Sequence, residues 1–148
     1  MTVTAMPYPI GTPGVPWGAA ERALWLSRQV RHRSYTDDVV KAVERLSGRF
    51  DVEVYGQLDY PPDQYRLFAV RSRGWRNDLP VALVTGGVHG YETRGVHGAL
   101  QFLDTRAADY ANKINLLVAP CVSPWAYERI HRWNANALDP NRSFRDDS

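Results

Sequence analysis

Residues 81–92, VALVTGGVHGYE, restrict the fold more than any other stretch of the chain. Val81, Ala82, Leu83 and Val84 form a short unbroken apolar run of the kind found in strands buried on both faces of a parallel sheet, and Gly86 and Gly87 end it. In open α/β sheets ligands bind outside the carboxyl ends of parallel strands, which is where His89 and Glu92 emerge. With a helix over residues 90–108, a spacing of three puts His89 and Glu92 on one face. An imidazole nitrogen and a carboxylate so placed can hold one cation, and zinc suits the pair best. By itself a His-x-x-Glu pattern also reads as a capping or surface pair, so a second stretch has to decide.

The flanking sequence supplies an α/β domain. Residues 50–58 (FDVEVYGQL) alternate apolar and polar in the period of a half-buried strand. Tyr65 to Val70 makes another after the turn residues Asp59 to Asp63, which predicts an antiparallel pair. After the loop around Arg73 to Leu79 comes Val81 to Thr85. Val96, Ala99, Leu100 and Leu103 then give a crossover helix its sheet-facing stripe, and Ile114 to Ala119 returns as a parallel neighbour of what reads as the central strand. The fold class is α/β, a mixed, mainly parallel sheet with helices on both faces.

Two helices precede it. Residues 19–31 place Ala23, Leu26 and Val30 at helical spacing, with Leu24 and Trp25 widening the stripe. The second is capped by Ser34 or Thr36, carries Asp37 and Asp38 near its positive end, buries Val39, Val40, Val43 and Leu46, and stops at Gly48. Both read as packing, and His32 between Arg31 and Arg33 reads as a solvated helix end. Residues 1–18 carry Pro7, Pro9, Pro13 and Pro16 among Gly11, Gly14 and Gly18, which excludes helix and central strand alike. They read as an extended arm whose Tyr8, Ile10, Val15 and Trp17 lie against a single domain over 19–148.

A chain of 148 residues with 44% hydrophobic and 23% charged side chains suits one core. With a net charge of +2 and no block of Lys or Arg, nothing argues for nucleic acid or an anionic membrane as partner. No run approaches a membrane span, and residues 1–18 lack the pattern of a secretory signal. Cys121 is the single cysteine, which excludes an intrachain disulfide and fits a reducing compartment; the cytoplasm is the expected location.

The deciding stretch is Arg132 to Phe144, RWNANALDPNRSF, which crowds arginines and asparagines into a turn-rich segment just after the apolar strand Ile114 to Val122. Both stretches therefore reach the same sheet edge. Together they resemble the zinc metallocarboxypeptidase family, whose pattern is His-x-x-Glu and then Arg-x-Asn-x-x-Gly-x-Asp-(Leu/Pro)-Asn-Arg-x-(Phe/Trp). Arg132, Asn134, Asp139, Pro140, Asn141, Arg142 and Phe144 match in order and spacing. Ala137 stands where the family has glycine, a mild change unless the backbone there needs a positive φ.

The resemblance spans roughly residues 50–148 and implies a zinc-dependent hydrolase with one ion held by His89 and Glu92. It implies that Arg132 stabilises the oxyanion formed when metal-activated water attacks the scissile carbonyl. It implies that Asn141 and Arg142 hold a terminal carboxylate, with Asp139 orienting the loop or a ligand. The implied substrate is a peptide or acylated amino acid with a free carboxylate. The full Arg-x-Asn and Asp-Pro-Asn-Arg run favours the peptidase branch over the deacylase branch, which resembles succinylglutamate desuccinylase and aspartoacylase. Without the family pattern, Arg132 and Arg142 read as surface arginines paired with Asp139, Asp146 or Asp147.

The family's second zinc-binding histidine and its glutamate general base lie well downstream of the Asn-Arg motif. Both are therefore expected beyond residue 148, and the chain is expected to be an amino-terminal part of such an enzyme. His97 does not substitute, because eight residues of continuous helix from His89 amount to a rise of about 12 Å and an offset of about 80°. His131 reads as a local hydrogen-bonding group at the pocket rim. Trp125, Tyr127 and Trp133 read as an apolar wall or as packing, and Tyr91, Thr93 and Arg94 flank the ligands. A noncatalytic carboxylate-binding fragment is the alternative reading. A sheet ending just past Ala119 leaves an edge uncovered, which predicts self-association.

Overall fold

The computed structural model describes residues 9–144. After a turn-rich segment whose Ile10 is buried and whose Trp17 packs on the core, helix α1 runs Ala19–Ser27. A π-helical turn, Thr36–Val40, continues into α2, Lys41–Leu46. The strands are β1 Asp51–Tyr60, β2 Asp63–Arg71, β3 Val81–Thr85 and β4 Asn115–Ala119; α3 is Thr93–Thr105 and α4 Pro124–Arg129. Short 3₁₀ turns cover Ala107–Tyr110 and Pro140–Arg142. Tyr8, Asp146 and Asp147 lie outside the described residues.

The four strands form one mixed sheet in the order β1-β2-β4-β3. β1 and β2 pair antiparallel, β2 and β4 antiparallel, and β3 and β4 parallel, with Leu83 opposite Leu117. The α/β class with a mixed sheet is as expected, and two details differ. The antiparallel share is the larger one, because β4 inserts between the hairpin and β3. β3, read from its apolar run as the central strand, is an edge strand: Val81 and Leu83 are 57% and 64% exposed. Ala82 and Val84, on its other side, pack against the core that α1, α2, α3 and α4 share with the hairpin, so the helices' buried side chains gather on that side. An apolar run of four does not distinguish a strand covered on both faces from one with a bare face.

Two local expectations also change. Helix α1 stops at Ser27 and buries only Trp25, while Leu24, Leu26 and Val30 are exposed. In β1 the alternation is interrupted by a bulge between Val54 and Gly56, where Val54 and Tyr55 are exposed. The helical stretch ending at Leu46 buries Val39, Val40, Val43 and Leu46 as predicted, and Ser34 Oγ accepts the Asp37 N–H at 3.1 Å, the capping contact the sequence implied. The stripe of α3 is likewise buried: Val96, Ala99, Leu100 and Leu103.

Candidate functional site

The strand-to-helix connection 86–92 carries the first half of the site, and packing fixes its course. Gly87 has φ +60, and a Cβ there would meet Val96 Cγ2 at 2.6 Å. Gly90 lies so close to the Ala126–Tyr127 backbone of α4 that any side chain would collide with it. The connection is laced to the chain after β4: Val122 N–H donates to Gly86 O at 2.9 Å, Ser123 N–H to Gly87 O at 2.9 Å, and Ser123 Oγ to Val88 O at 2.8 Å. Cys121 is buried beneath Gly87, and burial pushes its thiol up to about 12.

Helix α3 begins at Thr93, later than the sequence suggested, with Glu92 at its N-cap. His89 and Glu92 therefore meet through a turn, in which Glu92 N–H donates to His89 O at 3.2 Å, rather than along a helix face. The outcome is the same: His89 Nδ1 and Glu92 Oε1 are 2.9 Å apart. His97, on α3, points elsewhere, its Nε2 lying 3.1 Å from the Tyr127 hydroxyl.

The second half of the site follows α4. Ile130 caps that helix in the left-handed region, φ 57, and Ala137 has φ 59. The substitution of alanine for glycine at 137 is therefore not mild: the backbone does require a positive φ, which costs a residue with a Cβ about 1 kcal/mol or more. Asn134 holds that loop, its Oδ1 accepting the N–H groups of Asn136 at 2.9 Å and Leu138 at 3.1 Å. These two left-handed residues bracket Arg132 and return the chain so that Asp139 faces it.

Asp139 joins the halves. Its Oδ1 lies 2.9 Å from His89 Nε2 and accepts the Asn141 N–H at 3.0 Å. Its Oδ2 accepts from Arg132 Nε at 3.0 Å and lies 2.9 Å from Nη2. Partial burial pushes the Asp139 carboxyl up, but the hydrogen bonds from His89 and Arg132 outweigh it and hold the group below the ordinary carboxylate range. The surface-pairing reading of Arg132 with Asp139 and the site reading thus describe one contact.

Because an ionised Asp139 only accepts, it fixes a proton on His89 Nε2, and a neutral ring then turns its Nδ1 lone pair toward the Glu92 carboxylate. Two acceptors 2.9 Å apart need a positive centre between them, either a second ring proton or a cation. The donor chemistry therefore fits a metal as a two-ligand half-site. Among the described residues no group of three His, Cys, Asp or Glu could hold one.

Asn141 reaches this centre through its backbone, and its side chain is exposed, as is Arg142, which makes no side-chain hydrogen bond or ion pair among the described residues. His131 is not at a hydrogen-bonding rim: it packs edge-on to Trp25 and against Trp125 and Trp133, and burial lowers its pKa. Trp125 and Tyr127 are buried, whereas Trp133 is exposed. An open depression of about 420 Å³, lined by Tyr91, Glu92, Thr93 and Arg94, adjoins the ligands. Tyr91, expected to flank the ligands, also meets Arg132: its hydroxyl accepts from Arg132 Nη1 at 3.2 Å, a contact that no sequence spacing between positions 91 and 132 foretells.

No family model and no curated protein sequence matches the chain. Solved structures do. A protein designated a metallopeptidase from Shewanella denitrificans OS217 is 29% identical with a TM-score of 0.61, the match covering 75% of this chain and 40% of that one. Another so designated, from Shewanella amazonensis SB2B, is 26% identical with a TM-score of 0.60, covering 76% and 45%. A metallo-carboxypeptidase from Pseudomonas aeruginosa, 22% identical with a TM-score of 0.52 over 73% and 31%, shares the fold. The match thus takes in less than half the length of each of these structures. The fold of this chain is carboxypeptidase-like.

Proposed function

We propose that this chain belongs to a zinc-dependent hydrolase that cleaves an amide bond next to a free terminal carboxylate. The observation that carries the reading is the single carboxylate of Asp139, which ties His89 of one motif to Arg132 of the other. Likeness to metallopeptidase structures at 26% and 29% identity supports the same class.

In this reading His89 and Glu92 hold the zinc ion, which when bound polarises a carbonyl and supplies a nucleophile at neutral pH. Asp139 fixes the His89 tautomer, so that Nδ1 is the ligating nitrogen. Arg132, with one guanidinium edge held by Asp139, offers its remaining N–H groups to the oxygen on which charge develops. Asn141 and Arg142, exposed beside Asp139, bind the substrate carboxylate, for which a guanidinium fork is the matched donor.

A second reading, a carboxylate-binding module without turnover, is favoured by the lack of a three-ligand cluster among the described residues. The test begins with zinc content and affinity of the chain purified without chelators, beside His89→Ala and Glu92→Ala. Zinc binding lost in both variants is the expected result, and hydrolysis of short peptides in preference to N-acyl amino acids would support the peptidase branch. Tight binding of a peptide carboxyl terminus with no hydrolysis points to the module instead. Zinc held equally well by both variants overturns the metal assignment, and no tight zinc in any of the three means an incomplete half-site.

A further inference from the structure

We infer that Tyr91 is a positioning residue for Arg132, an assignment that rests on the hydrolase reading of the site. Arg132 is held by Asp139 in an unusual way: Nε and Nη2 converge on the same oxygen, Oδ2, instead of taking one oxygen each. A fork-to-fork pair fixes the guanidinium plane, because two parallel bonds define a direction. Two donors converging on one oxygen fix a distance and leave the plane able to swing about that point. A second anchor is needed to aim the group, and the Tyr91 hydroxyl, accepting from Nη1 at 3.2 Å, is that anchor.

Tyr91 is itself held on three sides. Its ring lies parallel to that of His89, centroids 5.8 Å apart and planes 7° apart. Its N–H donates to His131 O at 3.0 Å, joining its backbone to the residue before Arg132. Gly90, pressed onto the α4 backbone, prevents the loop from shifting toward that helix. The phenol oxygen therefore sits at a position set by the metal loop, and it reports that position to the guanidinium 41 residues away.

The donor count gives the consequence. Of five N–H groups on a guanidinium, Nε–H and one on Nη2 go to Asp139 and one on Nη1 goes to Tyr91, which leaves one on each terminal nitrogen for a substrate oxygen. Removing the phenol oxygen frees a third donor but releases the plane, so the two that matter lose their aim. Misorientation of this kind is felt where charge develops, more than in ground-state binding.

Tyr91→Phe keeps the ring on His89 and removes only the hydroxyl. In ¹⁵N–¹H spectra the exchange between the two Arg132 Nη lines, which reports rotation about Nε–Cζ, is expected to be slow in the wild-type chain and faster in Tyr91→Phe, where Asp139 alone still holds the group. With peptide substrate, kcat is expected to fall about tenfold while KM moves less than about twofold and zinc affinity stays unchanged. An Nη exchange rate unchanged in Tyr91→Phe, or a loss confined to KM, overturns the assignment. If the wild-type chain turns over no substrate, the exchange between the Nη lines alone decides whether Tyr91 aims Arg132, independently of the hydrolase reading. Arg132→Lys, assigned in the same spectra, confirms which lines belong to the guanidinium.

Discussion

Two carboxylates join distant parts of this chain through arginine, and they do so to different ends. Glu128, on α4, is 4% exposed and accepts the Tyr35 N–H at 2.9 Å and the Tyr65 hydroxyl at 2.8 Å, with Arg31 Nε at 2.7 Å and Arg129 Nη1 at 3.6 Å. Its partners are engaged in turn: Arg31 and Arg129 both pair with Asp63 at 2.7 Å, and Arg129 donates to Tyr65 at 3.1 Å. The network closes on itself and fastens α4 to the β1–β2 hairpin. Asp139 also accepts four contacts, but one of its partners, His89, keeps an imidazole nitrogen, Nδ1, to offer a cation, which no partner of Glu128 has. Counting the contacts of a carboxylate does not separate support from chemistry. What its partners have left to offer does.

Breaking each junction sharpens the contrast. Glu128→Ala leaves the Tyr35 N–H and the Tyr65 hydroxyl buried without their acceptor, and its cost is expected at about 3 kcal/mol or more, read by urea denaturation. Zinc binding should be lost only as far as folding is. Asp139→Asn is expected to do the reverse, costing little stability while zinc affinity falls by about 10- to 100-fold in a competition assay. Equal effects of the two substitutions on stability would collapse the distinction.

Acid titration adds the sign. The Asp139 carboxyl is held below its ordinary range, so its contribution is fully present above an unfolded value of about 3.9 and is lost as pH falls through the lower folded value. The stability gap between wild type and Asp139→Asn should therefore be constant near neutrality and shrink only in strong acid. The smallest effect is expected from Ala137→Gly, which relieves the left-handed backbone and should stabilise by about 0.5 to 1 kcal/mol, less than the full conformational cost because glycine also loosens the unfolded chain. No gain in the urea midpoint would mean that the loop around Asn134 carries no strain.

The sequence made the hairpin, the buried stripe of α3 and the parallel return of β4 legible, because each is written in a period that the backbone enforces locally. It misjudged β3, since an apolar run reports how a strand is composed and not how many layers cover it. The pairing of His89 with Glu92 was legible, although a turn rather than a helix brings it about. The strain at Ala137 was posed as a condition that only φ could answer. Tyr91 and Glu128 were not legible as junctions, because their partners lie 41 residues away at Arg132 and 93 residues away at Tyr35, and no local periodicity encodes such distances.

Cys121 has a consequence for kinetics. With its thiol pushed up to about 12 by burial beneath Gly87, the sulfur offers almost no thiolate at neutral pH and no path to a reagent. Modification then has to wait for an opening that uncovers the sulfur, so the labelling rate divided by the rate of an exposed thiol gives the equilibrium of that opening. The single cysteine of the chain is thereby a built-in clock for the opening of the core beneath the segment that carries His89, readable by mass with no substitution at all.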